Sequence, residues 1–208
     1  MVHIAVLVSG GGTNLQALLD AQEAGKIPNG QIVKVIASRP DAYALERAAR
    51  HGVETAVVSR KAFASAEEFD GALLRELESC GAGLVVLAGF LSILGEKVVA
   101  AYRDRILNVH PALIPSFCGK GFYGLKVHEA ALAYGVKVTG ATVHFVNEIP
   151  DGGAILLQKA VAVQPGDTPE TLQRRVMEEA EWELLPRAVS LFCDGKIRVE
   201  GRTAVIME

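Results

Sequence analysis

Along the first hundred residues, short β-branched apolar runs alternate with longer segments whose apolar residues recur every three or four positions. That alternation predicts a parallel sheet covered by helices. Strands are predicted over 2–9, 32–38, 54–58 and 84–88, with helices over 13–25, 42–51 and 65–80 between them. Ser65 followed by Glu68 predicts a capping box at the start of the third helix. A fifth strand over 105–109 runs into His110-Pro111. Proline withholds the next ladder donor, so Asn108 and His110 are expected at a strand's C-terminal edge.

A loop rich in Pro, Gly and Ser over 112–121 precedes a predicted helix over 123–134. Two long strand patterns follow, 137–147 and 154–163, joined by the turn Glu148-Ile149-Pro150-Asp151-Gly152-Gly153. Thr168-Pro169 opens the last helix, an N-cap residue ahead of proline at the first helical position, and its spacing continues to Phe192. A hairpin over 196–205 closes the pattern. The expected fold class is α/β, three layers with a mostly parallel central sheet and helices on both faces. Its N-terminal half is Rossmann-like and its C-terminal half carries antiparallel strands. Without repeats or a long linker, 1–208 reads as a single domain with halves at 1–104 and 105–208.

Composition excludes several classes. Half of the 208 residues are hydrophobic, about a fifth are charged, and the net charge is −3, which suits a folded globule. No basic cluster marks a nucleic-acid partner. The first apolar stretch is too short to span a bilayer and lacks a signal's basic flank and cleavage site, so no membrane partner is expected. Cys80, Cys118 and Cys193 are widely spaced without a CxxC, which argues against disulfides and structural zinc and makes the cytoplasm the expected compartment.

After the first strand stands Ser9-Gly10-Gly11-Gly12-Thr13-Asn14-Leu15. Glycines here allow positive φ and close backbone approach at a helix start, where amides and dipole favour an anion. Leu15 and Ser38-Arg39-Pro40 replace the glycine and acid that a dinucleotide fingerprint needs, and no Gly-Lys-Ser/Thr makes a P-loop. A phosphate monoester on Gly11, Gly12, Thr13 and Asn14 fits these residues. A tight turn without a ligand explains the glycines equally well.

Asn108 and His110 are two apart, so an extended chain points both to one face, where both can donate to a developing oxyanion. Asp151 is a carboxylate that can accept a proton and favour an imidazolium beside it. The trio suits amine attack on an acyl carbon without a covalent nucleophile. A strand cap, a satisfied histidine and a turn aspartate would account for the same residues. Cys118 lacks spacing that supports a Cys-His pair, and His128 and His144, set beside His110 and Asp151, make only a weak metal site without HExxH or paired cysteines.

Several patterns occur together in one order: Val8-Ser9-Gly10-Gly11-Gly12-Thr13-Asn14-Leu15-Gln16, Val86-Leu87-Ala88-Gly89-Phe90, Leu107-Asn108-Val109-His110-Pro111, Thr142-Val143-His144-Phe145-Val146 and Asp151-Gly152-Gly153. By these the chain resembles the phosphoribosylglycinamide formyltransferases, folate-dependent enzymes that formylate glycinamide ribonucleotide in purine synthesis. The resemblance implies 10-formyltetrahydrofolate as co-substrate, no metal, and Asn108, His110 and Asp151 as the catalytic trio, with Asp151 moving protons through water. It places the ribonucleotide phosphate on Gly12, Thr13 and Asn14 and the ribose on Glu181. It sets the pteridine beside Phe90, Leu91, Ser92, Ile93 and Leu94 and beside the loop that begins Val146, Asn147, Glu148. The two halves then become a phosphate-binding one and a catalytic, folate-binding one.

Three departures bear on the folate tail. Ser92 stands where some members carry Arg, Ala66 replaces a basic residue, and the loop Ser116–Gly124 is longer than usual and contains Lys120. A formyltetrahydrofolate hydrolase is the alternative reading, sharing the folate pocket but using water as acceptor. It would normally carry a regulatory domain ahead of the first strand. Formylation of an initiator tRNA would call for a basic C-terminal domain, and a ligand-sensing module would leave the trio unexplained. Monomer and homodimer are both compatible with the sequence.

Overall fold

The computed structural model describes residues 1–207. It divides into two compact units, Met1–Leu107 and Asn108–Glu208, three residues beyond the expected boundary between halves.

In the first unit, β1 (Val2–Val8), α1 (Thr13–Glu23), β2 (Gly30–Ala37), α2 (Ala44–Arg50), β3 (Glu54–Val57), α3 (Ala66–Ser79), β4 (Leu84–Leu87) and α4 (Glu96–Ala101) follow in order. β1 pairs in parallel with β2 and β4, and β2 with β3, which gives the order β3-β2-β1-β4. Ile4 to Val8 and Leu84 to Val86 are wholly buried, as expected of strands covered on both faces. Lys34 is the exception in β2. Its buried ammonium lies 2.7 Å from both Glu54 and Glu76, partners without which burial of the charge would be costly.

The α3 start differs in detail from the expected capping box. Ser65 Oγ accepts from Glu68 N at 3.1 Å, but the Glu68 carboxylate reaches back to Ala64 N rather than to the cap residue itself. α4 was not anticipated from the sequence. Its entry is held by buried Asp70, whose Oδ1 accepts from Gly95 N at 3.0 Å.

β5 (Ile106–His110) runs through the division between units and retains His110 as its last residue, one beyond the predicted end. In the second unit follow α5 (Leu125–Tyr134), β6 (Val138–Phe145), β7 (Ile155–Ala162), α6 (Pro169–Val176), α7 (Trp182–Cys193), β8 (Ile197–Glu200) and β9 (Thr203–Ile206). β6 and β7 are antiparallel, as are β8 and β9, while β9 meets β7 in parallel at Thr203 and Ile155. Thr168 caps α6 through Thr171 in a reciprocal pair, with Pro169 at the first helical position as expected.

The predicted last helix is interrupted. Met177–Glu181 form a π-helical turn between α6 and α7. Among the described residues, no helix is long and apolar enough to cross a membrane.

Candidate active site

β5 brings Asn108 and His110 to one end of the second unit, and the turn after β6 brings Asp151 to them. The turn is tied down by its glycines. A Cβ on Gly153 would lie 1.8 Å from the Phe145 carbonyl oxygen, so only glycine lets the strand pass there. Phe145 N donates to Ala154 O at 2.9 Å beside it. Asp151 itself has φ 54°, left-handed backbone that a non-glycine residue rarely adopts.

Asp151 Oδ2 accepts from Gly119 N at 2.8 Å and lies 3.7 Å from His110 Nδ1, while Oδ1 lies 3.5 Å from His144 Nε2. Burial alone would raise the pKa of this carboxyl, but His144, His110 and the Gly119 N–H together hold it below the ordinary carboxylate value. It is therefore ionised at neutral pH.

His110 is buried, and burial pushes its pKa below the usual 6.5 despite the opposing pull of Asp151 and of the Phe117 carbonyl. The ring is neutral at pH 7. Its Nε2 lies 2.8 Å from Phe117 O. A carbonyl only accepts, so the proton sits on Nε2 and the lone pair of Nδ1 faces Asp151.

The sequence offers His144 as a weak metal ligand and as part of the motif Thr142–Val146, and the structure makes it the link between Asn108 and Asp151. His144 Nδ1 donates to Phe145 O at 2.8 Å. Asn108 Nδ2 donates to the Nε2 of the same ring at 3.1 Å. Asn108 keeps a second amide hydrogen for another acceptor. The signal for His144 in the sequence is the motif Thr142-Val143-His144-Phe145-Val146, in which Thr142 is buried and donates to Ala112 O.

Cys118 does not act on His110. Its Sγ donates to Pro115 O at 3.3 Å, and burial together with Asp151 pushes its thiol pKa up. His128 on α5 is wholly buried, and the same burial pushes it down to about 4. Among the described residues no group of three or more His, Cys, Asp or Glu is arranged to hold a metal ion.

The other predicted binding residues fall in both units. In the first, Gly11, Gly12, Thr13 and Asn14 form the turn into α1, with Gly12 in the left-handed region at φ 72°. Phe90 is half-buried, Leu91 and Ile93 are exposed, Ser92 is half-buried and Leu94 is buried. Leu91 N donates to Ser9 Oγ at 2.8 Å, which pins this segment to the end of β1. In the second, Val146 and Asn147 are half-buried and Glu148 is exposed. Asn147 Oδ1 accepts from Ile149 N at 3.0 Å, which shapes the loop toward Asp151. Glu181 is buried, at the end of the π turn, in a row otherwise made by Ala180, Leu184 and Leu185. π turns recur at functional sites because the inserted residue redirects one face of a helix. Lys120 is exposed.

The formyl transferase family model matches residues 2–189. A phosphoribosylglycinamide formyltransferase of Haemophilus influenzae is 40% identical over 206 residues, covering 99% of this chain and 94% of that protein. The trifunctional purine biosynthetic protein adenosine-3 of Gallus gallus is 44% identical over 200 residues, which are 95% of this chain but 19% of that protein. The crystal structure of glycinamide ribonucleotide transformylase 1 from Symbiobacterium toebii superposes with a TM-score of 0.94 at 45% identity, over 100% of this chain and 95% of that one. Motif order, strand topology and these likenesses agree, and the chain belongs to the formyl transferase family.

Proposed function

We propose that this chain transfers the formyl group of 10-formyltetrahydrofolate to the amine of glycinamide ribonucleotide in purine biosynthesis. The observation that carries the reading is the ionised Asp151 set between His110 and His144, with Asn108 held by His144.

The amine nitrogen attacks the formyl carbon, and the carbonyl electrons move to oxygen. Asn108 Nδ2 and His110 Nε2 donate to that oxyanion. His110 reaches it when the formyl oxygen takes the place of Phe117 O as acceptor. The amine's proton passes through water to Asp151 and on to the folate nitrogen, and the oxyanion re-forms the carbonyl as the bond from the formyl carbon to that nitrogen breaks. A carboxyl held below its ordinary pKa suits a relay, because it accepts a proton transiently and does not retain it. The distance of 3.7 Å from Asp151 to His110 is too long for a direct hydrogen bond and fits groups that share a water.

Gly11, Gly12, Thr13 and Asn14 take the ribonucleotide phosphate on main-chain amides, and buried Glu181 takes the ribose hydroxyls. The exposed apolar Leu91 and Ile93, with Phe90, Ser92, Leu94, Val146, Asn147 and Glu148, take the pteridine. The three cysteines are all free, in keeping with the cytoplasm as compartment.

The test follows loss of the formyl group from 10-formyltetrahydrofolate with and without glycinamide ribonucleotide. Turnover that requires the amine is the expected result. Equal turnover without it would make the protein a hydrolase, and no turnover in either condition would remove the enzymatic reading.

A further inference from the structure

The turn before α1 is held by a neighbouring helix, and that hold orients its amides. Gly10 O accepts from Ala44 N at 3.1 Å, and Gly11 O accepts from the Arg47 Nε at 2.8 Å. Both carbonyls therefore face α2. In a trans peptide the following N–H points opposite to the carbonyl, so the N–H groups of Gly11 and Gly12 turn away from α2. Gly12 is left-handed at φ 72°, and successive amides around such a residue form a concavity for an anion. The N-cap residue of α1 is Gly12, which has no side chain to cap the helix, in contrast with Ser65 at α3 and Thr168 at α6.

Arg47 is fixed for this task. Its Nη1 donates to Gln16 Oε1 at 2.9 Å, and its guanidinium carbon lies 5.1 Å from the centre of the Tyr43 ring. Gln16 is in turn held by Asp20 at 2.8 Å and by His51 Nε2 at 3.1 Å. The approach of α2 is as close as glycine allows, since a Cβ on Gly12 would lie 2.6 Å from Ala44 Cβ.

We propose that Arg47 is a positioning residue for phosphate recognition: it pins Gly11 O and thereby aims the Gly11 and Gly12 amides at the ribonucleotide phosphate. The proposal rests on the phosphate role given above for this turn. A planar guanidinium serves Gly11 and Gln16 together, whereas a lysine ammonium in its place keeps the charge but not the two fixed donors.

Arg47→Ala and Arg47→Lys test it together. Both variants are expected to raise KM for glycinamide ribonucleotide and the dissociation constant for inorganic phosphate, measured by calorimetry, by about tenfold or more. The KM for 10-formyltetrahydrofolate and kcat at saturation stay near the wild-type values. Wild-type affinities in Arg47→Lys would mean that charge alone matters and would overturn positioning, as would unchanged affinities in both variants. Should Arg47→Ala fail to fold, Arg47→Lys decides by itself. Phosphate calorimetry reads the turn without catalysis, so a wild type lacking amine-dependent turnover would overturn the functional reading separately.

Discussion

His110 Nε2 stands 2.8 Å from the main-chain oxygen of Phe117, and this contact fixes which nitrogen carries the proton. Phe117 has φ 49°, so the loop pays in backbone strain to bring its carbonyl there. The contact keeps the imidazole oriented with Nδ1 toward Asp151 before any substrate arrives.

Replacing Asp151 by Asn removes the proton acceptor while retaining the hydrogen bond from Gly119 N through the amide oxygen. The expected outcome is a fall in kcat of about 10²- to 10⁴-fold with little change in KM for the ribonucleotide. Steady-state kinetics with both substrates measures it. A variant retaining wild-type kcat would refute the relay.

The same substitution has a signed effect on His110. Burial lowers the pKa of this ring and the Asp151 charge raises it, so removal of that charge lowers it further. Nitrogen-15 NMR titration should place the His110 midpoint below 6.5 in the wild type and lower again in Asp151→Asn. An upward movement would show that Asp151 is not the neighbour acting on the ring.

His128 links stability to pH. Its pKa falls from 6.5 to about 4 on folding. Below pH 6.5 the unfolded chain takes a proton that the folded chain refuses. The contribution is thus complete above that pH and lost as pH falls toward 4, by about 3 kcal/mol across the window. Urea midpoints at pH 7.5 and pH 5 should differ more in the wild type than in His128→Leu, and equal pH dependence in the two would remove His128 as the source.

Gly153→Ala places a methyl 1.8 Å from Phe145 O, which forces strand and turn apart. Stability should drop by roughly 2 kcal/mol or more, with Asp151 displaced and kcat reduced alongside. Chemical denaturation and kinetics on the same preparation check both effects. Wild-type values for both would mean that the turn tolerates a side chain.

The strands of the first unit were legible because burial on both faces writes continuous apolar runs, as in Ile4 to Val8. Asn108 and His110 were legible as neighbours because strand geometry fixes the two-residue repeat, and the order of motifs supplied Asp151. The partnership of His144 with Asn108 joins residues 36 positions apart and left no local trace. Helix α4 has six residues, and its entry is held by Asp70, 25 positions before Gly95, so it carries too little periodicity to read. The π turn at Met177–Glu181 uses the same residue types as an α-helix, so no local pattern marks it. Arg47 meets Gly11 O across 36 positions, and no local pattern announces that pairing.

The partner of His110 is a main-chain oxygen, so every residue at position 117 supplies it and no side-chain exchange deletes it. Substitution can act on this contact only by changing how readily the backbone reaches it. The adjustable elements are the left-handed Phe117 and the loop glycines Gly119 and Gly121, at φ 86° and 95°. Insertions or stiffened glycines in this loop are therefore the route by which relatives, or an engineer, would retune the histidine without touching any residue of the trio.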